Sequence, residues 1–324
     1  MALKCTIPAF KLEPFRVFKG ISRVAVLSTV LMLLPTGGHA QHKFWIIPDS
    51  VESRRLILVS GAAALGYTSS MYGLNTLWYA DVPRSGFHLF NDNADWLQMD
   101  KAGHAFGAYQ ISRMGYQAVR WTGSDERKSV WAATGFAILY MTSFEVMDGF
   151  SAGWGFSPGD ALVNVAGAAL FASQQLGWED QRITLKFGYS QSGLAQYRPN
   201  LLGANAVERI LKDYNGQQYW LSVNPSSFGS RDHSILPWLN IALGYSGQGM
   251  LGGSANPDFN ESGMALPDMA RYRQVYVSLD VDLTRIQTRS GFLRTLFSVI
   301  NVIKVPAPAL EWSRGGLEWH WLLY

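Results

Sequence analysis

Residues 178–189 read Trp178-Glu179-Asp180-Gln181-Arg182-Ile183-Thr184-Leu185-Lys186-Phe187-Gly188-Tyr189, and the periodicity of the chain changes inside this stretch. From Ile183 onward large apolar residues alternate with Thr184, Lys186 and Gly188, the two-residue period of a strand with one polar face. Upstream, apolar residues recur at helical spacing. The chain is therefore read as α+β, with a helical bundle first and an antiparallel, β-rich domain after it.

On the helical side, four segments stand out: 54–74, 100–120, 129–146 and 158–176. The first is just long enough to be a borderline membrane span. The other three have apolar cores shorter than the roughly 18–20 residues a span needs, so a packed bundle of about four helices over residues 41–180 is expected. On the other side, alternation recurs at 219–223, 239–245, 275–283, 310–312 and 317–324, with helical pieces at 205–212 and 291–303. These make about six strands over residues 181–324. One face carries large apolar residues and the other Gly, Ala, Ser, Thr and Asp. A small or partial membrane barrel would turn the first face to lipid, whereas a soluble sheet would pack it on the helices.

Composition agrees with an envelope setting. The 324 residues are 48% apolar, 13% aromatic and only 16% charged, with 12 Trp, against a soluble average of about 25% charged. Lys4, Lys11, Arg16, Lys19 and Arg23 precede an apolar run at 24–34, and Gly38-His39-Ala40 puts small residues at −3 and −1. Residues 1–40 are read as a cleaved signal peptide, which places the mature chain in the periplasm or at the outer membrane. Without that leader the formal charge falls from +3 to −1, and no basic stripe is left for nucleic acid. The single cysteine, Cys5, excludes a disulfide scaffold and a cysteine-based zinc site.

Polar residues interrupt the apolar helices at three places. Asp100, Lys101 and His104 open the second helix, Glu145 and Asp148 close the third, and Asp160 and Asn164 open the fourth. Antiparallel neighbours joined by short loops bring these three groups to one end of the bundle. Each has a bland explanation. Asp100 and Asp160 could cap their helices, Asn164 could tie two helices together, and a lone histidine is more often a satisfied core residue. Glu145 and Asp148 are harder to dismiss, because a helix C-terminus disfavours each carboxylate by up to about 1 kcal/mol. Asp100, His104, Glu145, Asp148, Asp160 and Asn164 are thus candidate ligands of a divalent metal cation. Alternatively His104, Lys101, Asp100 and Glu145 are candidate catalytic residues, with His104 as general base and Lys101 holding an anionic group. No GxxxxGK[ST] phosphate loop and no HExxH motif is present.

Asp100-Lys101-x-x-His104, Glu145 and Asp160-x-x-x-Asn164-x-x-Gly167 together resemble the uncharacterised bacterial family of YfiM-like predicted periplasmic lipoproteins. The order of motifs is also similar to VanZ-like membrane proteins. The resemblance covers residues 80–178, and Tyr197-Arg198-Pro199-Asn200 through Asn215-Gly216-Gln217-Gln218-Tyr219-Trp220 looks like a C-terminal extension found in longer members. It implies an envelope protein without an assigned activity. The partners expected are a membrane lipid or an envelope glycan. Two functions stay open: a site for an anionic envelope component or a divalent cation, and a non-catalytic structural protein of the outer membrane whose polar cluster is a salt-bridge and capping network.

Overall fold

The change of period after Asp180 is a change of architecture. The computed structural model describes residues 44–79, 82–229 and 236–324, and residues 47–324 form one compact unit. The expected signal peptide lies outside the described residues.

Among the described residues four long helices come first: α1 (Ser53–Leu74), α2 (Met99–Trp121), α3 (Glu126–Gly149) and α4 (Pro158–Trp178). Local chemistry starts two of them. Asp125 accepts a hydrogen bond from Lys128 N at 2.9 Å, and Ser157 accepts one from Asp160 N at 3.1 Å with Pro158 in the first turn. Helices α2, α3 and α4 pack on one another through Tyr109, Val130, Phe171 and Ala172, and through Ala108, Met141 and Ala168. No residue of α1 is buried. It is held from outside, by Arg55 on Trp121 O at 3.0 Å and by Tyr67 on Ser143 Oγ at 2.8 Å. Among the described residues α3, and not the expected first helix, is long and apolar enough to cross a membrane.

The remainder carries strands β1 (Ile183–Tyr189), β2 (Gln217–Val223), β3 (Leu239–Gln248), β4 (Tyr272–Val281), β5 (Ala307–Ser313) and β6 (Gly316–Leu323). Short helices α5 (Pro199–Leu202) and α6 (Ala206–Lys212) lie between β1 and β2, and α7 (Gly291–Ile300) between β4 and β5. The strands form one antiparallel meander in sequence order. The sheet is open, which corrects the barrel expectation. Residues 302–304 occupy part of the outer edge of β1 instead, with Phe187 N donating to Val302 O and Lys304 N to Phe187 O, both at 2.9 Å. Six strands are also fewer than the eight of the smallest common barrels.

The sheet buries its polar face. Lys186 and Asp280, both fully buried, pair at 2.7 Å, and Asp280 also accepts from Ser222 Oγ at 2.7 Å. Lys186 further donates to Asn301 Oδ1 at 3.0 Å. Removing one partner from such a pair typically costs about 3–5 kcal/mol, because the other charge stays buried. Burial likewise lowers Lys304, which donates to the carbonyls of Leu279 and Val305, to about 8. The apolar face has two fates. On β1 and β2 it packs on α2, with Phe106, Phe187 and Tyr219 in mutual ring contact at 5.6–5.8 Å. On β3 to β6 it is exposed, and the register aligns it into rows: Leu243 opposite Val277, Val277 opposite Leu310, Leu310 opposite Trp319.

Candidate functional site: an acidic cleft

The start of α2, the end of α3 and the start of α4 meet as the helix order requires, and a cleft of about 330 Å³ opens between them. Two further elements complete it. A five-residue π-turn, Asn75–Tyr79, ends α1 and brings in Trp78 and Tyr79. From the β-rich part come Leu211 of α6, Tyr214, and Gln217 and Tyr219 of β2.

The backbone before α2 is strained. Trp96, Leu97 and Gln98 have φ of 48°, 53° and 64°, a left-handed run that costs non-glycine residues about 1 kcal/mol or more each. Long-range bonds hold it. Trp96 N donates to Gly253 O at 2.9 Å, Tyr245 OH donates to Leu97 O, and Arg273 donates to Gln98 Oε1 at 2.7 Å. The helix cap is therefore Gln98, and Asp100 is not a cap. Its carboxylate instead accepts from Tyr214 OH at 2.5 Å.

His104 lies one turn on from Asp100. Its Nδ1 is 3.1 Å from Asn164 Oδ1 and 3.5 Å from Glu145 Oε1, and its Nε2 is 3.8 Å from Asp100 Oδ1. Asn164 thus ties α4 to α2, as one of the bland readings allowed, and orients the imidazole as it does so. Lys101 is already engaged. Its ammonium lies 2.6 Å from Asp92 Oδ1 and 2.8 Å from Asp160 Oδ1, fastening the loop before α2 to α4. Ser157 is both the cap of α4 and a donor to Asp92 Oδ1 at 2.6 Å. Asp148 accepts from Tyr79 OH at 2.7 Å. Glu145 accepts from Ser157 N at 3.2 Å through one oxygen, while the other, Oε1, accepts no hydrogen bond although Glu145 is 1% exposed.

Crowding of carboxylates sets the electrostatics. Burial, with the charges of Asp160 and Asp148 behind it, pushes Glu145 up to about 8. Burial and then Asp100 raise Asp148 to about 6, against the Tyr79 hydrogen bond. Asp160 is raised by burial and by Asp100. Burial alone would lower His104, but the charges of Asp100, Asp160 and Glu145 outweigh it and favour the imidazolium.

All the predicted residues from α2, α3 and α4 come together here. Asp92, Tyr79 and Tyr214 were not anticipated. They lie in loops and turns without periodicity, and the only hint was the density of Trp and Asp across residues 78–96. Elsewhere, Glu311 and His320 of adjacent strands form a second pair at 2.8 Å, with Glu311 also bonded to Gln274 at 2.6 Å.

Residues 86–174 match a predicted periplasmic lipoprotein family, DUF2279. The DUF2279 match contains Asp92 and every candidate ligand from α2, α3 and α4, and it stops before the sheet. Tyr79, Tyr214 and Tyr219, which complete the cleft, lie outside it. No curated protein and no solved structure matches the chain.

Proposed function

We propose that this is a periplasmic envelope protein whose cleft holds a divalent cation through Asp100, His104 and Asp160 and there engages a phosphate-bearing envelope component. The observation that carries the reading is an excess of negative charge. Asp92, Asp95, Asp100, Glu145, Asp148 and Asp160 line one cleft together with His104, and Lys101 is already bound to two of them. Ligand atoms of Asp100, His104 and Asp160 lie within 4.8 Å of one another. Two carboxylates and an imidazole suit a divalent metal, and a histidine held through Nδ1 presents Nε2 as the ligand. A cation there would attract a phosphoryl oxygen that the carboxylates alone repel, and would polarise it.

The Lys101 ion pairs and the Ser157 cap favour a second reading, in which the cluster is a salt-bridge and capping network in a non-catalytic envelope protein. Metal analysis and melting of the mature protein, wild type beside His104→Ala, separate the two. The cation reading expects about one divalent ion per chain and an affinity at least about 100-fold lower in the variant. Absence of metal from both proteins, with a large drop in melting temperature for the variant, overturns it in favour of the network.

The exposed apolar rows of β3 to β6 belong to the same proposal as a lipid-facing surface. Flotation with phospholipid vesicles is expected to carry the protein to the lipid fraction, and Leu243→Glu with Trp319→Glu to leave it behind. Recovery of the wild type as a soluble protein counts against lipid contact.

A further inference from the structure

We infer that the ligand of the acidic cleft is an amphiphile, a phosphate-headed lipid whose chains lie along the mouth, in place of a free glycan or a soluble phosphate. The inference rests on the cation reading for its headgroup and on a separate observation for its tail. Beside the carboxylates the cleft is lined by apolar side chains: Leu74, Trp78, Phe90, Trp154 and Leu211. Two of these are already exposed, Phe90 at 44% and Leu211 at 45%. Their sequence neighbours Leu77, Leu89 and Ile210 are exposed as well. An inorganic phosphate gains nothing from such a rim and a glycan only stacking on its rings, whereas each methylene that leaves water against it improves affinity about fourfold.

Charge complements the same orientation. Lys212, in the last turn of α6, donates to Leu77 O at 2.9 Å and its ammonium lies 5.0 Å from the centre of the Trp78 ring. It therefore places positive charge beside the apolar wall, where the bridge between headgroup and chains of an anionic lipid would pass. The carboxylates would take the cation, Lys212 the phosphate side of the headgroup, and the apolar side chains the lipid's chains.

The test is titration of the mature protein in amphipol with dihexanoyl phosphatidate and with glycerol 3-phosphate, each in Mn²⁺ and in EDTA. Wild type is compared with Phe90→Gln/Leu211→Gln, which replaces the apolar rim without adding charge and alters none of the cation ligands. Mn²⁺ affinity of the variant, expected to equal that of wild type, reports that the cleft is folded. With Mn²⁺ present, phosphatidate is expected to bind at least about 50-fold more tightly than glycerol 3-phosphate, and the rim variant to lose most of that preference. Equal affinities with Mn²⁺ bound overturn the amphiphile and leave the cation reading standing. A phosphatidate preference that persists in EDTA, in a protein that binds no Mn²⁺, overturns the cation reading and keeps the amphiphile. Binding of neither ligand under either condition overturns both.

Discussion

Glu145→Gln is expected to raise the stability of the cation-free protein above about pH 8 and, in the same molecule, to weaken cation binding by about 10- to 100-fold. Both effects have one cause. Glu145 is buried among other carboxylates, so its folded-state pKa is raised from 4.5 to about 8. A raised carboxylate favours folding fully below the unfolded value, and that advantage is lost as pH rises through the folded value. The window therefore runs from about 4.5 to about 8. Glutamine stays neutral throughout and still accepts from Ser157 N, so the variant escapes the loss, which amounts to a few kcal/mol. Below pH 4.5 the two proteins should melt alike. Thermal unfolding at both ends of the window, paired with a Mn²⁺ titration, reads both effects. A variant that is less stable at every pH would show that Glu145 serves the fold alone.

Gly167→Ala is expected to cost about 1–3 kcal/mol of stability and to disorganise the cleft, with Gly167→Val more severe. A Cβ at this position would lie 2.1 Å from Ala105 O and 2.9 Å from Ala105 Cα. Both contacts are with backbone inside α2, so no side chain can swing aside; the helices must separate. His104 immediately precedes Ala105, and Asn164 lies one turn before Gly167, so the 3.1 Å bond between them stretches with the interface. Gly135→Ala on α3 is the control. Nothing lies within 4 Å of its added carbon, and alanine's helix preference should make that variant neutral or up to about 1 kcal/mol more stable. Urea unfolding of the three variants settles the point, and a Gly167→Ala protein as stable as wild type would contradict the close approach.

Gly167 also illustrates what the sequence conveyed. The spacing of Asp160, Asn164 and Gly167 marks one face of α4, and helix order alone put that face beside His104. The same local logic located all six strands, because alternation is a property of neighbours. It could not say what covers a face. Leu185 and Leu243 sit in equivalent alternating patterns, yet one packs near Tyr109 and Phe171 and the other is 48% exposed. That difference is set by where α2 docks on the sheet. For the same reason the site was legible only in its helical part. Asp92 reaches Lys101 from an aperiodic loop, and Tyr214 reaches Asp100 across 114 positions, from a part of the chain whose own pattern announces a sheet.

The inverted polarity of that sheet bears on how the protein responds to temperature. Hydration of apolar surface raises the heat capacity of an unfolded chain, and hydration of polar surface lowers it. A sheet that already exposes Leu243, Val277 and Trp319 to its surroundings, and encloses Lys186, Ser222 and Asp280 beside Trp220 and Tyr276, releases a mixture of polar and aromatic surface when it opens in water. Its contribution to the heat-capacity increment is accordingly smaller than that of a sheet of the same size with a wholly apolar inner face. Cold, which weakens apolar cores, acts within this sheet chiefly on the cluster of Trp220, Ala242 and Tyr276.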